Sequence, residues 1–148
     1  MKKKVLAVAS NGGHLVQLLR LFPAFSEHDV TLVSTSEDGP DERYKSYYMV
    51  TDSNFDQKIK LLKTAADTFA VYLKVRPDIV ISTGAAPGLF CILYARMFGK
   101  KAIWVDSIAN TEKLSMAGRV ALKFTKHCYT QWPAVSKESG PFYLGAVV

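Results

Sequence analysis

Three short segments carry the residues of this sequence that could do chemistry: SNGGH at 10–14, STGAAPG at 82–88 and DSIAN at 106–110. Glycine lets the backbone approach a ligand closely, and the first turn of a helix presents N–H groups that attract anions. Both glycine segments lead into predicted helices. Together these two loops could cradle the oxygens of a phosphate or a pyrophosphate.

Two side chains in these segments could move a proton. Histidine changes its charge near neutral pH, so His14 could act as a general base or hydrogen-bond a phosphate. Asp106 could be the base instead, or could orient His14. The alternative interpretation is that His14 caps its helix or packs, and that Asp106 caps a helix or braces its loop. His28 and His127 have no such context, so we expect them to be structural or solvated.

Several specific motifs are absent, which narrows the chemistry. SNGGH lacks the third glycine of a dinucleotide-binding loop, and no acidic residue ends the second predicted strand to hold a ribose. The sequence has no G-x-x-x-x-G-K-[ST] phosphate loop, no H-E-x-x-H, no cysteine pair and no D-x-D. The hydrolase motif G-x-S-x-G is also missing. The sequence therefore predicts no metal site and no cofactor.

Alternating strand and helix patterns predict how the three segments are positioned. Repeated β-α-β units predict a single domain, residues 1–148, of the α/β class with a doubly wound, Rossmann-like parallel sheet. Ligands bind beyond the carboxyl ends of such strands, and all three segments fall there. The predicted strands are Val5–Ala9, Val30–Ser34, Tyr47–Val50, Asp78–Ser82, Ala102–Val105 and Cys128–Gln131.

Four helices are predicted between these strands, at 15–22, 53–76, 87–99 and 116–126. In the second helix, Ser53 with Asp56 offers a capping-type start, and Pro77 forces the stop. Apolar residues spaced four, three, four, three and four apart line one face of this helix over about five turns. The residues of this face are Phe55, Ile59, Leu62, Ala66, Phe69 and Leu73. SEDGPDE at 36–42 is predicted to be a polar loop.

The charge balance favours an anionic partner. Lys and Arg number 19 against 13 Asp and Glu, giving a formal charge of +6. The cations are not interleaved with aromatics in a recognisable nucleic-acid motif, so a nucleotide- or nucleic-acid-binding module is the weaker alternative. Cys91 and Cys128 form no C-x-x-C and fit buried thiols in a reducing cytosol. No apolar run reaches the ~18 residues of a membrane span, so we expect the protein not to cross a bilayer, although it could lie on one.

The fourth predicted helix, Met116–Lys126, is the predicted membrane surface. Arg119, Lys123 and Lys126 recur at i, i+4 and i+7, beside a face of small and apolar residues. A basic amphipathic helix can rest on anionic headgroups. A solvated outer face is the ordinary alternative.

The ordered set SNGGH, STGAAPG, DSIAN, QWP and YLG resembles one family over nearly the whole chain. This is the acceptor-binding and membrane-anchoring subunit family of the dolichol-pathway UDP-N-acetylglucosamine transferase, with bacterial counterparts in capsule and exopolysaccharide synthesis. The chain is also similar to the N-terminal half of the peptidoglycan N-acetylglucosaminyltransferase, an enzyme of the glycosyltransferase-B fold. The resemblance implies a split enzyme. This chain would hold a polyprenyl-diphosphate-linked sugar acceptor, and a small partner subunit would bind the UDP-sugar.

The resemblance also implies roles for particular residues. His14 and Asp106 would be the catalytic side chains of an inverting glycosyltransferase, active only with its partner and peripheral on the cytoplasmic face of the membrane. The family's third motif more often begins with Glu and carries Arg where this chain has Asn110. A non-catalytic membrane-recruiting scaffold or activator is the alternative. The residues expected at the acceptor diphosphate are Ser10, Asn11, Gly12, Gly13, Thr83, Gly84 and Ala85.

Overall fold

The computed structural model describes residues 1–37, 44 and 46–147. These residues form a seven-stranded parallel sheet in the order β3-β2-β1-β4-β5-β6-β7. The predicted doubly wound sheet is confirmed, and residues 38–42 of the predicted polar loop lie outside the described residues. The strands are β1 Lys4–Ala9, β2 Asp29–Ser34, β3 Ser46–Met49, β4 Ile79–Gly84, β5 Lys101–Val105, β6 His127–Thr130 and β7 Phe142–Tyr143. The helices are α1 Gly13–Leu21, α2 Lys58–Val75, α3 Ala85–Met97 and α4 Met116–Leu122, with 3-10 turns at Phe22–Ala24 and Pro133–Val135.

Both faces of the sheet are buried, which explains the continuous apolar runs of its strands. Successive side chains of a strand point to opposite faces. In β1, Val5 and Ala7 belong to the apolar cluster packed against α1. Leu6 and Val8 belong to the cluster that includes buried residues of α2, α3 and α4. A strand with one face in water would instead alternate apolar and polar residues.

The strand order reverses between β1 and β4. From β1 the chain moves outward through β2 to β3, and it then crosses to β4 on the other side of β1. The carboxyl ends of β1 and β4 therefore diverge into helices on opposite faces of the sheet. Such a switch point is the usual ligand crevice of an open parallel sheet.

Helix α2 buries a different face from its apolar one. Thr64, Thr68 and Tyr72 are buried, whereas Ile59 and Leu62 of the apolar face are among the exposed large side chains. The threonines tolerate burial because backbone carbonyls of the helix and of its preceding loop accept hydrogen bonds from their hydroxyl groups. The Oγ1 of Thr64 donates to the Thr51 carbonyl at 2.7 Å, and that of Thr68 donates to the Thr64 carbonyl at 2.7 Å.

Two predicted helix boundaries are wrong. Helix α2 begins at Lys58, not near Ser53, because Ser53 is buried and its Oγ lies 2.7 Å from Thr64 Oγ1 instead of capping the helix. Helix α4 ends at Leu122. Lys126 therefore lies in the turn before β6 and is not on the helix.

Replacing Thr64 with valine should destabilise the fold. The change keeps the side-chain shape but removes the donor to Thr51 and the partner of Ser53, leaving buried polar atoms unpaired. We expect the free energy of unfolding to fall by about 1–3 kcal/mol in urea denaturation. Thr111→Val, at an exposed position, is the control and should change it by less than about 0.5 kcal/mol. Equal stability of both variants would contradict the assigned hydrogen bonds.

The hydrogen bonds of Asp67 predict that part of the free energy of unfolding depends on pH. Hydrogen bonds from the Thr51 hydroxyl at 2.6 Å and from its N–H at 3.0 Å, with nearby Lys63, hold the pKa of Asp67 below its usual value despite partial desolvation. A lowered folded pKa stabilises the protein above the unfolded pKa of about 3.9, and the gain disappears as pH falls through the folded value.

We therefore expect Asp67→Asn to be less stable than the wild type at neutral pH and the difference to shrink below about pH 4. Urea denaturation measures this difference in stability. The pH should run from about 2.5 to about 7, a range that brackets the usual carboxyl pKa of about 3.9. Thr51→Val, which removes the hydroxyl donor, should weaken the same pH dependence. Parallel stability curves for the wild type and Asp67→Asn would exclude this contribution.

Candidate functional site

The loop after β1 leaves the start of α1 open. Gly12 has a φ of 96°, a region that suits glycine, and precedes the helix without any side-chain cap. A Cβ added to Gly12 or Gly13 would meet no atom within 4 Å. Ser10 is buried, and the exposed Asn11 accepts a hydrogen bond from the Gly12 N–H at 2.9 Å. No side chain caps α1, so the N–H groups of its first turn lack a side-chain acceptor.

The loop after β4 is joined to the first loop through His14. The Oγ1 of Thr83 donates to the His14 carbonyl at 2.5 Å, and His14 Nδ1 lies 3.1 Å from the Thr83 carbonyl oxygen. Gly84 has a φ of 149°, and a Cβ there would lie 2.3 Å from His14 Nδ1. The absence of a side chain at position 84 thus provides the space for the imidazole ring.

The same contact fixes the tautomer of His14. A carbonyl oxygen only accepts hydrogen bonds, so Nδ1 carries the proton that is donated to Thr83. In the neutral ring, Nε2 then keeps a free lone pair. Because the side chain is half-buried, the ring combines a fixed orientation with access to solvent. This arrangement suits a general base or a phosphate ligand.

The remaining glycine of the second loop serves packing. A Cβ on Gly88 would lie 1.8 Å from Ser82 Oγ, because α3 packs closely on β4. Ala85 has a φ of 72° and begins α3, which also has no side-chain cap. Gly88 therefore fits the interpretation of a tight entry into a buried helix, whereas Gly84 is adjacent to His14.

Asp106 is 2% exposed, and donors occupy both of its carboxylate oxygens. Oδ1 accepts from Trp104 Nε1 at 3.0 Å and from Ser115 Oγ at 2.6 Å. Oδ2 accepts from Asn110 Nδ2 at 3.0 Å and from the Ser115 N–H at 2.9 Å. Within the described residues, no hydrogen bond joins Asp106 to His14. The geometry supports the alternative in which Asp106 braces its loop.

Two buried glutamines connect this third loop to the rest of the site. Gln131 Nε2 donates to Gln17 Oε1 at 2.5 Å and to the Asp106 carbonyl at 2.9 Å, while its Oε1 accepts from the Val147 N–H at 2.7 Å. Gln17 Oε1 also accepts from the Ile108 N–H at 3.3 Å. Sequence reasoning missed both side chains as site residues. The available signals were a glutamine among the apolar residues of α1 and the QWP motif.

The predicted membrane residues do not form one helical stripe. Arg119 and Lys123 are exposed at α4, but the small residues Ala117 and Ala121 beside them are buried in the core. Lys126 lines a cavity at the amino ends of β5 and β6, at the edge of the sheet opposite the glycine loops. Two small residues of the predicted face are thus buried, whereas Met116 and Phe124 remain exposed, so membrane contact at this element stays a prediction.

A metal-binding cluster and a membrane-spanning helix are both absent from the part of the chain that the structure describes. Residues 1–37, 44 and 46–147 contain no group of three or more His, Cys, Asp or Glu side chains that could hold a metal ion. Over the same ranges, none of the helices has the length and apolar character needed to span a bilayer.

Asp106→Asn should cost stability. An asparagine would present an NH₂ group to donors that now bond a carboxylate oxygen, so at least two hydrogen bonds would be lost. We expect a loss of about 2–4 kcal/mol in denaturant unfolding. The exposed Asp52→Asn is the matched control and should change stability by less than about 0.5 kcal/mol. An Asp106→Asn protein of wild-type stability would contradict the bracing role.

The chain resembles known proteins in sequence and in fold. The family described as "Oligosaccharide biosynthesis protein Alg14 like" matches residues 48–147. The UDP-N-acetylglucosamine transferase subunit ALG14 of Homo sapiens is 28% identical, with 97% of this chain and 82% of the human protein covered. The Mus musculus subunit is 24% identical, with 98% and 83% covered.

Solved structures share the fold. MurG of Acinetobacter baumannii superposes with a TM-score of 0.74 at 15% identity, covering 97% of this chain and 45% of MurG. The UDP-GlcNAc 2-epimerase of Methanocaldococcus jannaschii gives a TM-score of 0.60 at 12% identity, covering 92% and 40%. This chain thus spans less than half the length of these two structures. By the match over residues 48–147, the chain belongs to the Alg14-like family of oligosaccharide biosynthesis proteins.

Proposed function

We propose that this chain is the acceptor-binding subunit of a two-component inverting glycosyltransferase. The enzyme would transfer a sugar from a UDP-sugar to a polyprenyl-diphosphate-linked saccharide. The observation that carries the proposal is the position of His14 between two glycine loops at the switch point, where Thr83 holds Nδ1 and Nε2 has no hydrogen-bond partner among the described residues. Membership of the Alg14-like family supports the glycosyltransferase role.

The acceptor diphosphate would bind to the two uncapped helix starts. Helices α1 and α3 begin at the ends of the adjacent strands β1 and β4, and no side-chain hydrogen bond caps either helix. Their first N–H groups and the positive ends of two helix dipoles favour an anion. The residues assigned to this role are Ser10, Asn11, Gly12, Gly13, Thr83, Gly84 and Ala85.

His14 would act as the general base. The acceptor hydroxyl oxygen attacks the anomeric carbon of the UDP-sugar, the bond from that carbon to UDP breaks, and UDP leaves with the bonding electrons. The hydroxyl proton passes to His14 Nε2. The Thr83 carbonyl accepts the Nδ1–H and stabilises the imidazolium that forms. Asp106, whose four donors already hold it, would position the third loop and not take the proton.

A separate small subunit would supply the nucleotide-sugar site. This proposal rests on the family resemblance and on the curated relatives, which are named as subunits of a UDP-N-acetylglucosamine transferase. The pair would work peripherally on the cytoplasmic face of an anionic membrane, where lipid-linked acceptors are found. The five sequence motifs extend the proposal to a saccharide destined for capsule or exopolysaccharide, as in the bacterial counterparts.

His14→Ala should lower turnover by the reconstituted pair while leaving the fold intact. Loss of a positioned base typically costs about 10²–10⁴ in rate. The measurement is kcat for sugar transfer to a polyprenyl-diphosphate acceptor, with unfolding curves run alongside. His127→Ala, outside the glycine loops, is the matched control and should retain the wild-type kcat.

One observation favours a second function, a non-catalytic membrane-recruiting scaffold or activator. Asp106, one of the two predicted catalytic side chains, is 2% exposed and already accepts four hydrogen bonds, so half of the expected catalytic pair is occupied in bracing its loop. If His14→Ala and Asp106→Ala both kept full turnover while deletion of residues 143–148 abolished it, the scaffold function would replace the catalytic one. Full transfer by the isolated chain without a partner would refute the split enzyme.

A further inference from the structure

The loop after β1 contains the pair Asn11–Gly12, and both residues are exposed. The Gly12 N–H donates to the Oδ1 of Asn11 at 2.9 Å. Because a carbonyl oxygen is bonded to its carbon at about 1.2 Å, the Gly12 nitrogen lies no more than about 4.1 Å from Asn11 Cγ. The backbone nitrogen of Gly12 and the side-chain carbonyl carbon of the residue before it are therefore already close together.

This pair of atoms can react without any cofactor. Once a base in solution removes the Gly12 N–H proton, the nitrogen forms a bond to Asn11 Cγ and the bond from Cγ to Nδ2 breaks. Nδ2 leaves with the bonding electrons, takes up a proton and departs as ammonia, so that a five-membered succinimide ring remains. Water then opens either carbonyl of the ring and gives aspartate or isoaspartate. The net reaction converts an amide and water into a carboxylic acid and ammonia.

Gly12 leaves the attacking nitrogen unhindered. It has no side chain, and a Cβ added there would meet no atom within 4 Å, so the space beside this peptide is open. Glycine also changes its backbone conformation at little cost, which lets the peptide turn toward Cγ. The Asn11 N–H donates to Thr35 Oγ1 at 2.9 Å, so the backbone of Asn11 is held while its side chain stays exposed.

The other two asparagines of the sequence lack this arrangement. Asn54 is followed by phenylalanine, and its Oδ1 accepts from the N–H groups two and three residues further along, at 3.0 and 3.2 Å. Asn110 is followed by threonine, and its Nδ2 donates to Asp106 Oδ2 at 3.0 Å. Asn11 is thus the asparagine whose amide meets the next backbone nitrogen and whose neighbour has no side chain.

A carboxylate at position 11 would lie beside the proposed acceptor site. Residue 11 directly precedes Gly12, the residue before the uncapped first turn of α1. Negative charge is favoured at a helix N-terminus, so the new carboxylate would compete with the acceptor diphosphate for the same N–H groups and would repel it. Isoaspartate would in addition lengthen the backbone by one carbon just before Gly12, Gly13 and His14.

We propose that Asn11 is a deamidation site and that its conversion to aspartate or isoaspartate closes the proposed acceptor site. The loss of acceptor binding rests on the proposed function, whereas the deamidation follows from the geometry of Asn11 and Gly12 alone. The protein would lose affinity for its acceptor with age while it remains folded.

Peptide mass mapping of the full chain tests the modification during incubation at neutral pH and physiological temperature. Deamidation replaces NH₂ by OH and raises the mass of a peptide by about one dalton. The Asn11 peptide should gain this mass at least about tenfold faster than the peptides of Asn54 and Asn110, which are controls within the same molecule. Asn11→Gln should remove the gain, because glutamine would have to close a six-membered ring.

Sugar transfer gives the second readout, with samples of the incubated chain combined with the partner subunit. The kcat/KM for a polyprenyl-diphosphate acceptor should fall in proportion to the deamidated fraction, and circular dichroism should show that the protein stays folded. Freshly prepared Asn11→Asp should have a kcat/KM about tenfold or more below that of the fresh wild type. Asn11→Gln should keep, throughout the incubation, whatever kcat/KM it has at the start.

The contrary results are equally distinct. A rate of mass gain at Asn11 no higher than at Asn54 and Asn110 would exclude the modification site. Wild-type kcat/KM in a fully deamidated sample or in Asn11→Asp would exclude closure of the acceptor site, and so would an equal decline of the wild type and Asn11→Gln. Failure of the proposed function would look different: His14→Ala would retain full turnover, or the fresh pair would transfer no sugar, while the mass gain at Asn11 would still occur.

Discussion

The contact between His14 and the turn at Thr83–Gly84 joins the two halves of the fold. β1 and β4 pair in the sheet as far as Ala9 and Gly84, and the helices that follow them lie on opposite faces. Two hydrogen bonds between His14 and Thr83, with the open space at Gly84, connect the loops directly. Among the described residues, a backbone carbonyl orients the ring, so its tautomer comes from the peptide geometry of β4.

A network of buried side-chain hydrogen bonds holds the third loop. Asp106 collects four donors from its own loop, its own strand and the start of α4, while Gln17 and Gln131 connect that loop to α1 and β6. Buried polar groups that are fully paired make a segment rigid, and losing one partner leaves the others unsatisfied. A ligand meeting this edge of the sheet would therefore find a pre-formed surface.

The sheet was predictable because strands that are buried on both faces have continuous apolar sequences, such as Val5–Ala9. The positions of the three loops were predictable as well, because each follows a predicted strand, and two of them carry glycines. Helix α2 shows where pattern reasoning fails. The pattern predicts that its apolar face is buried. Thr64 and Thr68 are buried instead, because their hydroxyl groups donate hydrogen bonds to nearby backbone carbonyls. Gln17 and Gln131 were missed because partners more than 90 positions away in the sequence cannot be recognised from spacing.

The backbone N–H of Val147 is the last donor in the amide network, and it belongs to the extended tail after β7. A polypeptide that displaced this tail would leave Gln131 Oε1 without its donor, next to the amide that supports the Asp106 carbonyl. Loss of this hydrogen bond would cost free energy, so displacement of the tail would also reduce the order of the third loop. By thermodynamic reciprocity, a more ordered third loop would hold the tail more tightly. Two glutamine side chains therefore connect the carboxyl-terminal segment to the third loop by hydrogen bonds.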